Sequence, residues 1–290
     1  MIKCIAIDMD GTLLNNKMEI SPLNQQAMKA AQTQGIEVVI ATGRAYREAA
    51  DMLKEADLSC PIISMNGTEV RRADGELIAG LSLDKKIASN IIDILDDEHI
   101  YTEVHTNQGG FTVDPKKRIR VIIDVYQQMN VEAKESEIRA MANERLKKGY
   151  TTIVDNFHAL FQREEIQLFK MISFSKDRQK LKSIQKKLHS TKEIIVTSSG
   201  KFNMEITDRN GQKGIALKKF TDVLGIDLNE TMAIGDNYND QSMLKIVGRS
   251  VAMENGEQGI KKICTHTTCT NEEDGVAKAI DEVLQEQGAL

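Results

Sequence analysis

The sequence predicts an α/β protein, a parallel-sheet core interrupted by a smaller α+β domain, and three observations carry that expectation. Short apolar runs that end in acids, glycine or asparagine (Ile2–Asp8, Ile36–Ala41, Pro61–Met65) alternate with helix-patterned stretches. That alternation implies parallel strands joined by crossover helices. From Leu83 to Thr207 the rhythm changes to adjacent strands joined by short turns, which reads as an antiparallel sheet with helices on one face. After Asp208 the first rhythm returns. The expected organisation is a core made of 1–82 and 208–290, with 83–207 inserted.

Each element has its own signals. Ser21-Pro22 supplies an N-cap and a proline at the first helical position, and Gly35 closes that helix after Gln34. A second helix is expected over Ala45–Ala56. In the insertion, the spacing predicts a helix over Asp84–Glu98 and strands over Tyr101–Thr106 and Gly110–Asp114. Helical patterns fill much of Lys116–Lys148. Strands follow near Gln167–Ser173, Glu193–Ser198 and Phe202–Thr207, with a helix over Lys176–His189. The returning core reads as helix Gly214–Leu224, strand Thr231–Gly235, helix Asp240–Val247, strand Ser250–Met253, and helices Glu257–Cys264 and Gly275–Gln287.

Composition narrows the function classes. The chain has 290 residues, 41% apolar and 28% charged, as expected of a soluble globular protein of about two domains. A net charge of −5, with its lysine pairs scattered among acids, argues against a nucleic-acid partner. No apolar stretch approaches the ~20 residues of a membrane span, and the N-terminal run is too short for a signal sequence. A cytoplasmic location without membrane association is expected, and no obligate protein partner is evident. Cys4, Cys60, Cys264 and Cys269 show neither a disulfide framework nor zinc spacing. The histidines at 99, 105, 158, 189 and 266 show no triad or ligand spacing and receive no role.

Four polar clusters fall at strand ends: Asp8-Met9-Asp10-Gly11-Thr12, Thr42-Gly43-Arg44, Asp208 to Lys213-Gly214, and Gly235-Asp236-Asn237-Tyr238-Asn239-Asp240. Open α/β sheets bind ligands beyond the carboxyl ends of their strands, so distant clusters can share one crevice. A carboxylate such as Asp8 can attack phosphorus, and a second carboxylate two residues on, Asp10, can give and take the protons. Read alone, the same residues are a solvated acidic turn. Asp236 with Asp8 suits a hard cation such as Mg2+, and equally suits a helix cap. Thr42 and Gly43 at a strand-to-helix junction make an anion site or a plain N-cap. Lys213 before a helix can neutralise a transferring phosphoryl group or sit on the surface.

In this order, the set resembles the haloacid dehalogenase superfamily of phosphohydrolases, in its Cof-like branch. The resemblance runs through Asp8–Leu14, Ala41–Arg44, Asn66-Gly67, Lys213-Gly214, Gly235–Asp240, Val251–Asn255 and Asn271–Ala277. It implies a Rossmann-like core with a type IIB α+β cap that closes over the site and selects substrate. It also implies Asp8 as nucleophile and Asp10 as general acid and base. Mg2+ would be held by Asp8, the Asp10 carbonyl and Asp236. Thr42, Gly43, Lys213, Asn239 and the Met9 N–H would bind the phosphoryl group. Asp240 would support the site from behind, and Thr12 would orient Asp10. Gly256 and Thr68 depart from the branch's usual residues at positions with no catalytic role.

The second aspartate separates phosphoryl transfer from carbon–halogen cleavage. The expectation is therefore a Mg2+-dependent phosphatase that hydrolyses a small phosphorylated metabolite, a sugar phosphate or cofactor precursor, through an aspartyl phosphate. The alternatives are a phosphosugar mutase, which would return the phosphate to product, and a non-catalytic ligand-binding regulator on the same fold. The segments Thr106–Gly110 and Asn156–Glu165 are candidate substrate contacts by position.

Overall fold

The structure, a computed structural model, describes residues 1–128, 134–198 and 200–288. The part of the expected helical stretch Lys116–Lys148 that falls at 129–133 lies outside them. The chain divides into two compact units, one made of 1–80 with 211–290 and the other of 81–210.

The first unit opens with β1 (Cys4–Ile7), α1 (Pro22–Thr33), β2 (Glu37–Ala41), α2 (Tyr46–Glu55), β3 (Ile62–Ser64), β4 (Glu69–Arg71) and β5 (Leu77–Gly80). The inserted unit follows with α3 (Lys85–Asp97), β6 (Tyr101–Thr106), β7 (Gly109–Thr112), α4 (Pro115–Gln128) and α5 (Glu135–Lys147). It continues through β8 (Thr151–Ile153), α6 (Phe157–Phe161), β9 (Leu168–Phe174), α7 (Arg178–Leu188), β10 (Ile194–Thr197) and β11 (Asn203–Asp208). The first unit resumes with α8 (Lys213–Leu224), β12 (Thr231–Gly235), α9 (Gln241–Leu244), β13 (Arg249–Met253), α10 (Gln258–Lys261), β14 (His266–Thr268) and α11 (Gly275–Gly288).

The first unit's sheet runs β14-β13-β12-β1-β2-β3-β4-β5, parallel from β14 to β3 and antiparallel beyond. Every residue of β1 is buried, as a central strand with helices on both faces requires. One face packs Ile5, Ile7 and Ile40 against Met28, Ala31 and Leu53 of α1 and α2 and Ile280 of α11. The other packs Ala6, Val39 and Ala233 against Leu217 and Phe220 of α8 and Ile260 of α10. Each large aliphatic buried this way contributes about 1.5–3 kcal/mol. The Ser21 hydroxyl caps α1 by accepting from Asn24 N, and Pro22 follows it. Because β1 lies between β2 and β12, the chain crosses to opposite sides of β1. This is the switch point at which such sheets open a crevice. Ile7 pairs with both Ile40 and Ile234, which sets Asp8 level with the ends of β2 and β12.

The sheet of the inserted unit runs β10-β11-β9-β6-β7-β8. Its pairs are antiparallel except β7 with β8, which is parallel. Val104, Met171, Met204 and Ile206 line one face with residues of α3, α6 and α7. The alternate residues Glu103, His105, Lys170 and Glu205 are polar yet buried. Arg118 of α4 lies 2.8 Å from Glu103. Helices therefore cover both faces, where one was expected. The charged face needs charged partners, and α4 carries one.

The β4–β5 hairpin and the short strands β8 and β14 add to the expected elements. The helix expected over Asp240–Val247 is a single 3-10 turn, Tyr238–Asp240, followed by α9, which ends at Leu244. Among the described residues, no helix is long and apolar enough to cross a membrane.

Candidate active site

Four segments of the first unit meet at the carboxyl ends of β1, β2 and β12 and at the start of α8. The chain after β1 folds into a tight loop, in which Leu13 N donates to Asp8 O and Leu14 N to Met9 O. Three asparagines, two of them from the far end of the chain, grip that loop. Asn255 Nδ2 donates to Gly11 O at 2.7 Å, Asn271 Nδ2 to Leu14 O at 2.8 Å, and Asn24 Nδ2 to Leu13 O at 3.4 Å. Gly11 has φ +79°, and a Cβ there would lie 2.6 Å from Asp236 Oδ2. Only glycine allows both that turn and that approach.

Lys213, at the first turn of α8, is fully buried. Its Nζ donates to Asp8 Oδ1 and to Asp240 Oδ1, both at 2.6 Å. Asp240 turns back over the end of β12, where its Oδ2 accepts from Asp236 N at 3.0 Å and Asn237 N at 3.1 Å. Gly235 makes room, because a Cβ on it would sit 2.6 Å from that oxygen. Asp236 Oδ1 accepts from the Thr12 hydroxyl at 3.2 Å. Thr12 was expected to orient Asp10 and instead supports Asp236. Its hydroxyl follows the turn at Gly11 toward the β12 loop.

The carboxylates of Asp8, Asp236 and Asp240 offer oxygens within 4.8 Å of one another. Crowding of this kind disfavours ionisation. Burial first, then the Asp240 charge, push Asp236 up to about 7. The same two causes hold Asp8 well above the usual carboxylate range, against the pull of Lys213. Burial acts against the Lys213 charge, but Asp240 and Asp8 outweigh it and keep the ammonium protonated. One cation thus faces three acids.

That donor set fits a hard divalent cation. It holds carboxylate oxygens and no nitrogen or sulfur ligand. Both oxygens of Asp240 are committed to Lys213 and to backbone amides. Asp8 and Asp236 are the carboxylates that could ligate such an ion, with Asp240 held by Lys213 and the backbone beside them.

The remaining expected residues lie on the neighbouring loops. Thr42 is buried, and its Oγ1 accepts from Arg44 N at 3.1 Å. Gly43 is the residue between them. Thr42 O accepts from Asn66 N at 2.9 Å, and Asn66 Oδ1 accepts from Asn239 Nδ2 at 3.4 Å. Asn239 Oδ1 is buried with no hydrogen-bond partner. Met9 is buried beside Asp8, its carbonyl accepting from Thr12 N and Leu14 N. Asp10 pairs with Arg44 rather than with Lys213. Arg44 Nε donates to Asp10 Oδ2 at 2.8 Å and Nη2 to Oδ1 at 2.5 Å.

Arg44, Asn66 and Asn255 received no individual role from the sequence, although each stands in a quoted motif. The available signal for Arg44 was its place after Thr-Gly at a strand end, where a side chain enters the crevice. The candidate substrate segments of the inserted unit touch each other. Asn107 Nδ2 donates to Glu165 O at 3.0 Å, and Gln167 N donates to Asn107 Oδ1 at 2.9 Å.

Residues 5–280 match the family model of haloacid dehalogenase-like hydrolases. The chain is 35% identical over 285 residues to the phosphatase YwpJ of Bacillus subtilis, covering 98% of this chain and 100% of that one. It is 35% identical over 289 residues to YwtE of the same organism, a 5-amino-6-(5-phospho-D-ribitylamino)uracil phosphatase, covering 99% and 100%. Among solved structures, a haloacid dehalogenase-like hydrolase from B. subtilis superposes with a TM-score of 0.88 at 35% identity, covering 97% of this chain and 99% of that one.

Proposed function

The chain belongs to the haloacid dehalogenase-like hydrolase family, and we propose that it is a Mg2+-dependent phosphatase acting through an aspartyl phosphate on Asp8. The observation that carries this reading is the position of Lys213 Nζ, 2.6 Å from both Asp8 and Asp240 and beside Asp236. Three segments far apart in sequence converge there with a buried surplus of negative charge. A surplus of this kind characterises functional sites, and a divalent cation together with a phosphate group would use it.

The geometry supports the following roles. Lys213 and Asp240 fix the Asp8 carboxylate for attack on phosphorus. As the new Asp8–phosphorus bond forms, the bond to the leaving oxygen breaks and Asp10 gives that oxygen a proton. In the second step Asp10 takes a proton from water. The water oxygen bonds to phosphorus, the Asp8–phosphorus bond breaks, and inorganic phosphate leaves. Thr42, Gly43, Asn239, Lys213 and the Met9 N–H would bind the phosphoryl oxygens. Bound between Asp8, the Asp10 carbonyl and Asp236, Mg2+ would offset repulsion between the carboxylate and the phosphate dianion.

The substrate is a small phosphorylated metabolite. The relative YwtE suggests one candidate, 5-amino-6-(5-phospho-D-ribitylamino)uracil, and sugar phosphates form the wider class. The inserted unit is the expected specificity domain. The test is phosphate release from a panel of phosphorylated metabolites with Mg2+, together with acid-quench trapping of protein-bound phosphate. Release with a hydroxylamine-labile phosphate on Asp8 is expected. Isomerised substrate without free phosphate would point to a mutase, and a phosphate bound elsewhere would overturn the mechanism.

A further inference from the structure

We propose that Arg44 is a positioning residue that holds Asp10 in register for both proton transfers, a role that rests on the covalent mechanism above. Its two hydrogen bonds to Asp10 use both carboxylate oxygens. This two-pronged pairing fixes the carboxylate plane as well as its distance, which a single bond or a lysine does not do.

The guanidinium is itself anchored. Its side chain is 19% exposed, whereas that of Asp10 is 46% exposed. Nη1 donates toward Met52 Sδ at 3.3 Å on α2, and the Glu48 charge from the same helix acts on it. The backbone on either side is tied down. Arg44 N donates to Thr42 Oγ1, and Arg44 O accepts from Met65 N at 2.9 Å. Ordinary exposed ion pairs hold two mobile side chains and contribute almost nothing. Here the cation is rigid and largely buried and the carboxylate remains open. Arg44 covers one edge of Asp10 and leaves the other edge for the leaving oxygen and then for water.

Among the described residues, no other side chain hydrogen-bonds the Asp10 carboxylate, and the Thr12 hydroxyl is engaged with Asp236. Without Arg44, the exposed Asp10 carboxylate would be free to turn on its otherwise fixed loop. Phosphoryl transfer to Asp8 would survive for a leaving group that needs no proton, and every proton-dependent step would slow.

That asymmetry is the test. Wild type, Asp10→Ala, Asp8→Asn, Arg44→Ala and Arg44→Lys are compared with Mg2+ in rapid-mixing assays, using p-nitrophenyl phosphate and an alkyl phosphate. Nitrophenolate leaves without a proton, so Arg44→Ala should release about one equivalent per site at a near wild-type rate. Steady turnover should then fall by about 10²-fold, the usual contribution of a positioned acid or base. It should copy a milder Asp10→Ala, with KM changed by less than about threefold. With the alkyl phosphate, no burst is expected and kcat falls as far. Added guanidinium ion should restore turnover in Arg44→Ala by about tenfold or more, a rescue that a structural defect does not give.

Equal loss of burst and steady rate, a raised KM with intact kcat, or failure of guanidinium rescue would each overturn the proposal. If Arg44→Ala fails to fold, Arg44→Lys decides. It retains the charge but has one prong, so wild-type steady turnover in it would also sink the idea. The covalent reading fails separately, and visibly, if Asp10→Ala gives no burst or if Asp8→Asn gives one.

Discussion

In the unit built from both chain ends, two buried aspartates and the half-buried Asp236 crowd one lysine; in the inserted unit, among the described residues, Lys170, Arg118 and Arg145 outnumber Glu103 and Glu205 around a buried histidine. The two imbalances have opposite sign and are relieved in different ways. Negative surplus around Asp8 can be offset by a bound divalent cation and then by the phosphoryl transfer the site is proposed to perform. Positive surplus around His105 is relieved within the fold, because the imidazole sheds its proton. Burial first, then Lys170, Arg145 and Arg118, hold His105 well below its usual range. Buried charge therefore marks a reaction site only where the protein leaves it uncompensated.

The sharpest way to break this contrast is at the nucleophile. Asp8→Asn should lower kcat by on the order of 10⁴-fold or more and abolish protein-bound phosphate, with the fold retained. Trapped phosphate in that variant would end the covalent reading. Metal removal comes next. Chelation with EDTA should stop turnover and Mg2+ should restore it. A raised carboxyl pKa in the fold means that Asp236 binds its proton more tightly folded than unfolded. The metal-free protein should therefore lose stability as pH rises from about 4 through about 7. Mg2+ competes with that proton, so it should raise Tm more at pH 8 than at pH 5.5. An equal shift at both values would remove the metal from Asp236.

Lys213→Met deepens the negative surplus by deleting its one buried cation. Leaving buried acids unpaired costs about 3–5 kcal/mol in comparable sites, and kcat should fall by about 10²-fold or more. Mg2+ should recover part of the stability and little of the rate. Wild-type melting without metal would show that Lys213 does not balance Asp8 and Asp240.

Much of the first unit could be read from sequence because its strands are buried on both faces, so Cys4–Ile7 and Glu37–Ala41 stand out as apolar runs. The β4–β5 hairpin was passed over, although Asp74-Gly75 between Glu69–Arg71 and Leu77–Gly80 is a turn signal. At the site, the acids and lysine announce themselves by position, but partners do not. That Thr12 faces Asp236 and Arg44 takes Asp10 depends on how the Gly11 turn directs side chains, which no spacing rule encodes. In the inserted unit, Glu103 and His105 look like the solvated face of an alternating strand. The structure buries them because α4 lies on that face with Arg118.

His105 gives the smallest effect and tests the other half of the contrast. It is 6% exposed, its Nδ1 has no hydrogen-bond partner, and Nε2 is 4.0 Å from Glu103 Oε2. Glu103 is the acid facing it, while Lys170 and Arg118 are drawn off toward Glu205 and Glu103. A histidine whose pKa is depressed by folding contributes full stability above its unfolded value near 6.5 and loses it as pH falls. Unfolding then takes up a proton, so about 1 kcal/mol should be lost between pH 6.5 and 5.5. Hydrogen exchange of β6 and β9 amides reads this unit directly. Protection there should fall with pH in the wild type, and by about fivefold less in His105→Gln over the same interval. Identical pH dependence in the two proteins would mean that the surrounding cations do not govern His105, and the compensation ascribed to this unit would have to lie in another group.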